Sequence, residues 1–114
     1  MIEFNGKELR IDGTVLILPY SILDAEESLE KIFIVYDYME FPMNGPAPNL
    51  VCIEKSGKEL WVADNPTSQS NDAFTNFSRT NKSTDNCIFA NNFAGYLCQV
   101  NKSTGELNNV LFTK

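Results

Sequence analysis

The 114-residue chain contains no histidine. That absence removes the usual general base, the commonest zinc ligand and the partner that activates a serine or cysteine nucleophile. Arginine is nearly missing too: Arg10 and Arg79 are the only two, the lysines are scattered, and the net charge is −6. Phosphate backbones demand clustered cations, so no nucleic-acid partner is expected. No apolar run approaches the roughly 18 residues of a membrane helix, and no membrane partner is expected either. The opening Met1-Ile-Glu-Phe-Asn-Gly6 lacks the basic and apolar segments of a secretory signal, so the expected localisation is cytoplasmic. Cysteine is sparse, with Cys52, Cys87 and Cys98 showing no Cys-x-x-Cys spacing. Each lies in an apolar run, where a reduced thiol packs as a small hydrophobe. There is no glycine-rich phosphate loop and no Gly-x-Ser-x-Gly elbow. No cofactor, no metal and no catalytic residue are therefore expected.

What the chain does contain is strand-forming material in short pieces. Hydrophobic residues make up 43%, with eight Phe, four Tyr and one Trp, enough to build the core of a single domain over residues 1–114. Asn5-Gly6 predicts a hairpin turn between Ile2–Asn5 and Glu8–Ile11. Asp12-Gly13 punctuates before the apolar run Thr14 to Leu18. Between Ser21 and Lys31 two readings compete: Asp24 with Glu27 as a capping box opening a helical turn, or an edge strand over Ile22 to Ser28. The strand is favoured, because helical periodicity fades quickly and a β-rich run follows. Ile32 to Met39 is apolar almost throughout, the mark of a strand covered on both faces. Phe41 to Asn49 holds Pro42, Pro46 and Pro48 and predicts a stiff extended loop. Asn49–Glu54 and Lys58–Ala63 form the next hairpin.

The later half echoes the earlier. Leu50-Val-Cys-Ile-Glu-Lys-Ser-Gly-Lys-Glu-Leu60-Trp61 returns, loosened, as Tyr96-Leu-Cys-Gln-Val-Asn-Lys-Ser-Thr-Gly-Glu-Leu107. The period falls in the roughly 40–50 residues of propeller blades. Blade-like copies are expected over about 20–63 and 72–113, the second with strands at Asp72–Arg79, Asn86–Asn91, Ala94–Asn101 and Glu106–Thr113. The spacing of Phe74 and Phe77 predicts a bulge near Thr75-Asn76. Trp61 is expected to be the larger plug between the two copies, with the second relying on Leu111 and Phe112. Cys52 and Cys98 are expected at equivalent places, both buried.

Units of the form apolar run, Lys-Ser-(Thr)-Gly, Glu-Leu, often Trp resemble the outer hairpins of quinoprotein-type and WD-like propeller blades. The whole chain also resembles a set of small uncharacterised bacterial proteins, some of which look like immunity proteins for contact-delivered toxins. The resemblance implies an all-β antiparallel fold: an N-terminal hairpin plus two four-stranded blade-like meanders, packed as a sandwich or partial propeller. Two copies are too few to close a ring of about four or more blades. The resemblance transfers no quinone site.

Candidate binding residues fall in two places. Phe41, Pro42, Met43 and Pro46 lie in the stiff loop, where apolar residues either tuck under a sheet edge or present a preorganised contact surface. Glu26, Glu27 and Glu30, beside Asp24, form the densest acidic run, suited to protecting an edge strand or docking a basic partner. The function expected is a non-enzymatic protein-binding module of the bacterial cytoplasm, immunity-like, with a basic toxin or a second copy of itself as partner. Two alternatives stand beside it. One is a hydrolase using carboxylates such as Asp37 or Glu54; the other is a structural homodimer formed through sheet faces or edges.

Overall fold

Three antiparallel sheets, formed one after another along the chain, stack into three layers. The computed structural model describes residues 2–28, 30–42, 44–67, 72–78 and 83–112. The first sheet is β1 (Ile2–Asn5), β2 (Glu8–Ile11) and β3 (Thr14–Ile17). The middle sheet is β4 (Ile22–Ser28), β5 (Lys31–Tyr36), β6 (Leu50–Glu54) and β7 (Glu59–Val62). The third is β8 (Phe74–Phe77), β9 (Cys87–Asn92), β10 (Tyr96–Asn101) and β11 (Leu107–Phe112). Each sheet is an up-and-down meander. Among the described residues no helix is long and apolar enough to cross a membrane.

Both four-stranded repeats form, and the favoured strand over Ile22–Ser28 is β4. The N-terminal unit departs from the expected hairpin. Thr14–Ile17 folds back through Asp12-Gly13, whose φ angles of 48° and 91° give the primed turn that matches strand twist, and pairs with β2 as a third strand. The expected bulge appears as a register shift between Phe74 and Asn76. The expected strand to Met39 stops at Tyr36 instead. Asp37 takes up a cap, its carboxylate accepting from the Met39 amide, and Tyr38–Glu40 forms one turn of 3-10 helix.

Alternation along β5 explains the layering. Ile32, Ile34 and Tyr36 point one way and join Leu9 and Ile11 of the first sheet and Leu18 just beyond β3, with Val51 and Ile53 of β6. Phe33 and Val35 point the other way and join Phe74, Phe77, Ile88, Ala90, Cys98 and Val100 of the third sheet. The middle sheet is thus buried on both faces, and a sandwich of two meanders becomes a stack of three sheets. The sheets approach along their first strands, β1 beside β4 and β4 beside β8. Asp24 ties that seam: its carboxylate accepts from Ala25 N at 2.9 Å and from Phe77 N, across in β8, at 2.9 Å. A residue with a capping signature therefore serves as a sheet-to-sheet clasp.

The repeat carries a lysine whose two copies have different fates. Lys55 follows β6 and lies at the surface, its ammonium 3.1 Å from Glu27, 3.5 Å from Glu30 and 4.0 Å from Asp12. Lys102 follows β10 and is buried. Its ammonium donates to Ser28 Oγ at 2.8 Å and stands 5.7 Å from the Phe33 ring centre, where the aromatic face offsets part of the lost hydration.

Cys52 and Cys98 occupy the third strands of their sheets and are buried, as expected, and both enter one core cluster; Cys87 is buried in β9, and all three are free. Burial pushes the Cys52 thiol up to about 11 and that of Cys98 to about 12, and raises Tyr36 to about 12. The folded state keeps protons that the unfolded chain releases near pH 9–10. Stability should be intact below that range and fall as pH rises through it, by about 1.4 kcal/mol per pH unit for each group. Thiol labelling without denaturant at neutral pH should be slow at all three positions. Rapid labelling, or a melting temperature unchanged up to pH 11, would contradict this burial.

Candidate functional site

The loop after the 3-10 turn is stiff because it is pinned at three points. Phe41 stacks on Tyr20 with ring centres 4.3 Å apart, and Tyr20 meets Tyr36 edge-on at 5.4 Å. Ala47 is held from both sides, its N–H donating to Asp72 O at 2.9 Å and its carbonyl accepting from Asn65 Nδ2 at 2.7 Å. Asn49, fully buried, donates through Nδ2 to Tyr36 O and Phe74 O, and its Oδ1 accepts from Phe74 N. Proline fixes φ at three positions between these pins.

The anchoring divides the predicted loop residues. Phe41 is buried and works as the loop's root in the first core cluster. Pro42 is exposed and Pro46 is half-buried; Met43 lies outside the described residues. Pro46 and Pro48 wall a shallow groove of about 710 Å³, completed by Val62, Ala63, Asp64, Asn65 and Thr67. Its opposite wall is the end of β7 and the start of the connector to β8. Asp64 is exposed and supplies the carboxylate on that wall. Beneath the connector, Asp72 is buried and accepts from Thr67 N at 2.8 Å, Thr67 Oγ1 at 2.9 Å and Asn92 Nδ2. A carboxylate with this many donors is satisfied by the protein itself, which makes Asp72 a loop anchor.

The acidic run is split by strand alternation. Glu27 and Glu30 converge on Lys55, and that ammonium holds the Glu27 carboxyl below the usual carboxylate range. Glu26 points to the opposite face of β4, the side of Phe33, with which it is in register. One of its carboxylate oxygens is buried without a hydrogen-bond partner among the described residues. The three glutamates thus form no single docking patch, and Lys55 offsets part of the charge of two of them.

The carboxylates of the hydrolase alternative are not brought together. Lys31 pairs with Glu54 at one end of the β5–β6 ladder, while at the other the Tyr36 N–H, next to Asp37, donates to the Asn49 carbonyl. Asp37 caps the 3-10 turn, and Glu54 accepts from Ser56 Oγ at 3.2 Å. Among the described residues no group of three or more Cys, Asp or Glu is placed to hold a metal ion.

Sequence reasoning did not single out Asn49, Asp64, Asn65 and Asp72. Asn49 and Asp72 had a usable signal, polar residues bordering apolar strands where an unpaired group is costly. Asp64 and Asn65 had none, because their importance comes from which loop lies opposite. No curated protein and no solved structure matches the chain. Residues 1–112 match the model of the family described as a domain of unknown function, DUF7957, and the chain belongs to that family.

Proposed function

We propose that this chain is a non-enzymatic protein-binding module that docks a basic partner in the groove beside the proline-rich loop. The observation that carries the reading is the pinning of Ala47 on both sides, which fixes Pro46 and Pro48 as a wall facing Asp64. A preformed wall binds without paying again for loop ordering, and prolines offer apolar contact with little rotamer entropy to lose. The net charge of −6 favours a basic partner and steers its approach. The sharper form is an immunity-like protein of a bacterial cytoplasm that holds a basic toxin, supported by the resemblance noted above. The close approach of β1, β4 and β8 supports reading the three sheets as consecutive blades of a partial propeller, with the groove at the end of the middle blade.

The test begins with in-cell cross-linking to identify the partner, followed by binding kinetics on the purified pair. Association should slow at least tenfold between about 50 and 300 mM salt, because screening removes the steering. Asp64→Lys, at an exposed side chain, should weaken binding about tenfold while leaving the melting temperature nearly unchanged. Pro48→Gly should weaken it comparably while lowering stability by about 1 kcal/mol through the freer unfolded chain. Salt-insensitive association would sink the electrostatic part. Full affinity in both variants would place the interface elsewhere.

A further inference from the structure

The first sheet has three strands where the other two have four, and its outer strand ends the sheet with apolar side chains in solvent. Ile17 is 72% exposed, the most exposed large apolar side chain among the described residues, and Val15 is 49% exposed. Both sit on the outer face of the first sheet, in register with Glu8 and Arg10 of β2. On that face charge occupies β1 and β2, as Glu3, Glu8 and Arg10, and apolar surface is confined to β3 at the margin. From Thr14 to Leu18 the strand has no charged residue. Edge strands are ordinarily protected by charge, as Glu3 does for β1 and Glu59 for β7.

Among the described residues no strand pairs with the outer side of β3. A two-residue turn at Asp12-Gly13 makes Ile11 and Thr14 a hydrogen-bonded pair, so the next such pair is Leu9 with Leu16. Leu18 N donates to Lys7 O at 2.8 Å, which keeps the same parity. The N–H and C=O groups of Val15 and Ile17 therefore point outward, away from β2.

We propose that β3 is a self-pairing edge and that its occupant is β3 of a second copy of this chain, antiparallel about a two-fold axis at Leu16. In that register Val15 of each copy stands opposite Ile17 of the other, and four main-chain hydrogen bonds close the seam. Leu16 meets its own counterpart, and Thr14 stands opposite Leu18. Every opposed pair is uncharged. This answers the objection that two chains of net charge −6 repel, because the contact is made at the one margin of this sheet that carries no charge. The two Val15 and two Ile17 side chains then form one apolar patch at the centre of a six-stranded sheet, flanked by Glu8 and Arg10 on both sides. A foreign strand would satisfy the backbone equally, but the neutral, self-complementary order of these residues favours the second copy. The seam is short compared with the roughly 1,200–2,000 Å² of standard interfaces, so the dimer is weak and governed by mass action.

Sedimentation velocity on the full chain should show a monomer when dilute and a dimer with a midpoint of roughly 0.1–1 mM. Ile17→Lys and Val15→Lys, both at exposed positions, should keep the melting temperature and shift the midpoint upward at least tenfold. Leu16→Cys should give a disulfide-linked dimer on mild oxidation, since non-hydrogen-bonded antiparallel partners lie about 4.5 Å apart at Cα. Leu111→Lys, on the outer strand of the third sheet, should leave the midpoint unchanged. A wild-type chain that stays monomeric above 1 mM overturns the proposal. So does a dimer that survives both lysine substitutions at β3, or one that Leu111→Lys abolishes. The groove variants Asp64→Lys and Pro48→Gly should not affect this equilibrium, which separates it from partner docking.

Discussion

Trp61→Ala should melt the protein or leave it barely folded. Trp61 projects from β7 into the cluster between the middle and third sheets, with its ring centre 5.9 Å from that of Phe33. Its indole N–H donates to Lys102 O at 2.8 Å, joining the hairpin of one repeat to the turn of the next. Truncating a core Trp to Ala costs about 3–5 kcal/mol, and stranding the buried Lys102 carbonyl adds to it. A domain of this size has roughly 5–15 kcal/mol in all. Thermal and urea melts should show the loss directly, and Trp61→Phe should restore a large part of it through packing alone. The fit can be challenged from the other side. A Cβ built on Gly105 would stand 2.5 Å from Trp61 Cε3, and Gly105 has φ of +80°. Gly105→Ala therefore faces both a clash with a buried ring and a backbone conformation that L-residues avoid. A Trp61→Ala variant that melts like the wild type would remove Trp61 from the core.

Asn49→Ala should produce a loss of similar size by a different route. The substitution creates little cavity. It leaves the carbonyls of Tyr36 and Phe74 and the amide of Phe74 without partners in a fully buried place. Each stranded group costs about 1–3 kcal/mol, and the three span two sheets, so a total above about 3 kcal/mol is expected. Asn49→Asp separates hydrogen bonding from volume. At neutral pH it places a carboxylate against two carbonyl oxygens, whereas the protonated acid can donate to one of them. The carboxyl of this variant should titrate above the usual range, so its deficit relative to wild type should shrink as pH falls from about 7 to 4. A deficit independent of pH, or an Asn49→Ala protein as stable as wild type, would show that the clasp carries no weight.

The DUF7957 chain resembles two repeats read from one end and three sheets read from inside. Period-two alternation and the echo around Cys52 and Cys98 were enough to find β4 to β11, because each strand's faces are dictated by its own residues. The near-continuous apolar run of β5 showed that both its faces are covered. It left open what covers them: the missing layer is the first sheet, which packs there through Leu9 and Ile11, with Leu18 just beyond it, and whose third strand, Thr14–Ile17, reads equally well as an isolated run. The expected second plug shows the same gap. Leu111 is 53% exposed, while Leu107 and Val110 pack against the core. A shift of register between Gln99 and Val100 in the β10–β11 ladder changes which residues of β11 face inward.

The candidate site divides along the same line. The rigidity of residues 41–49 follows from proline chemistry and was legible from the chain. The groove was not, since Asp64 and Asn65 lie opposite Pro46 only after the middle sheet brings β7 beside β6 and the connector returns under the loop. Local backbone chemistry, side-chain alternation and the absence of histidine are properties of single residues and their neighbours, and the amino-acid order alone determined them. The stacking order of the sheets, the clasps made by Asp24 and Asn49, the split of the glutamates across β4 and the burial of Lys102 beside its half-buried counterpart Lys55 were decided by tertiary structure. Each depends on which surface arrives from a distant part of the chain, and no local pattern encodes that.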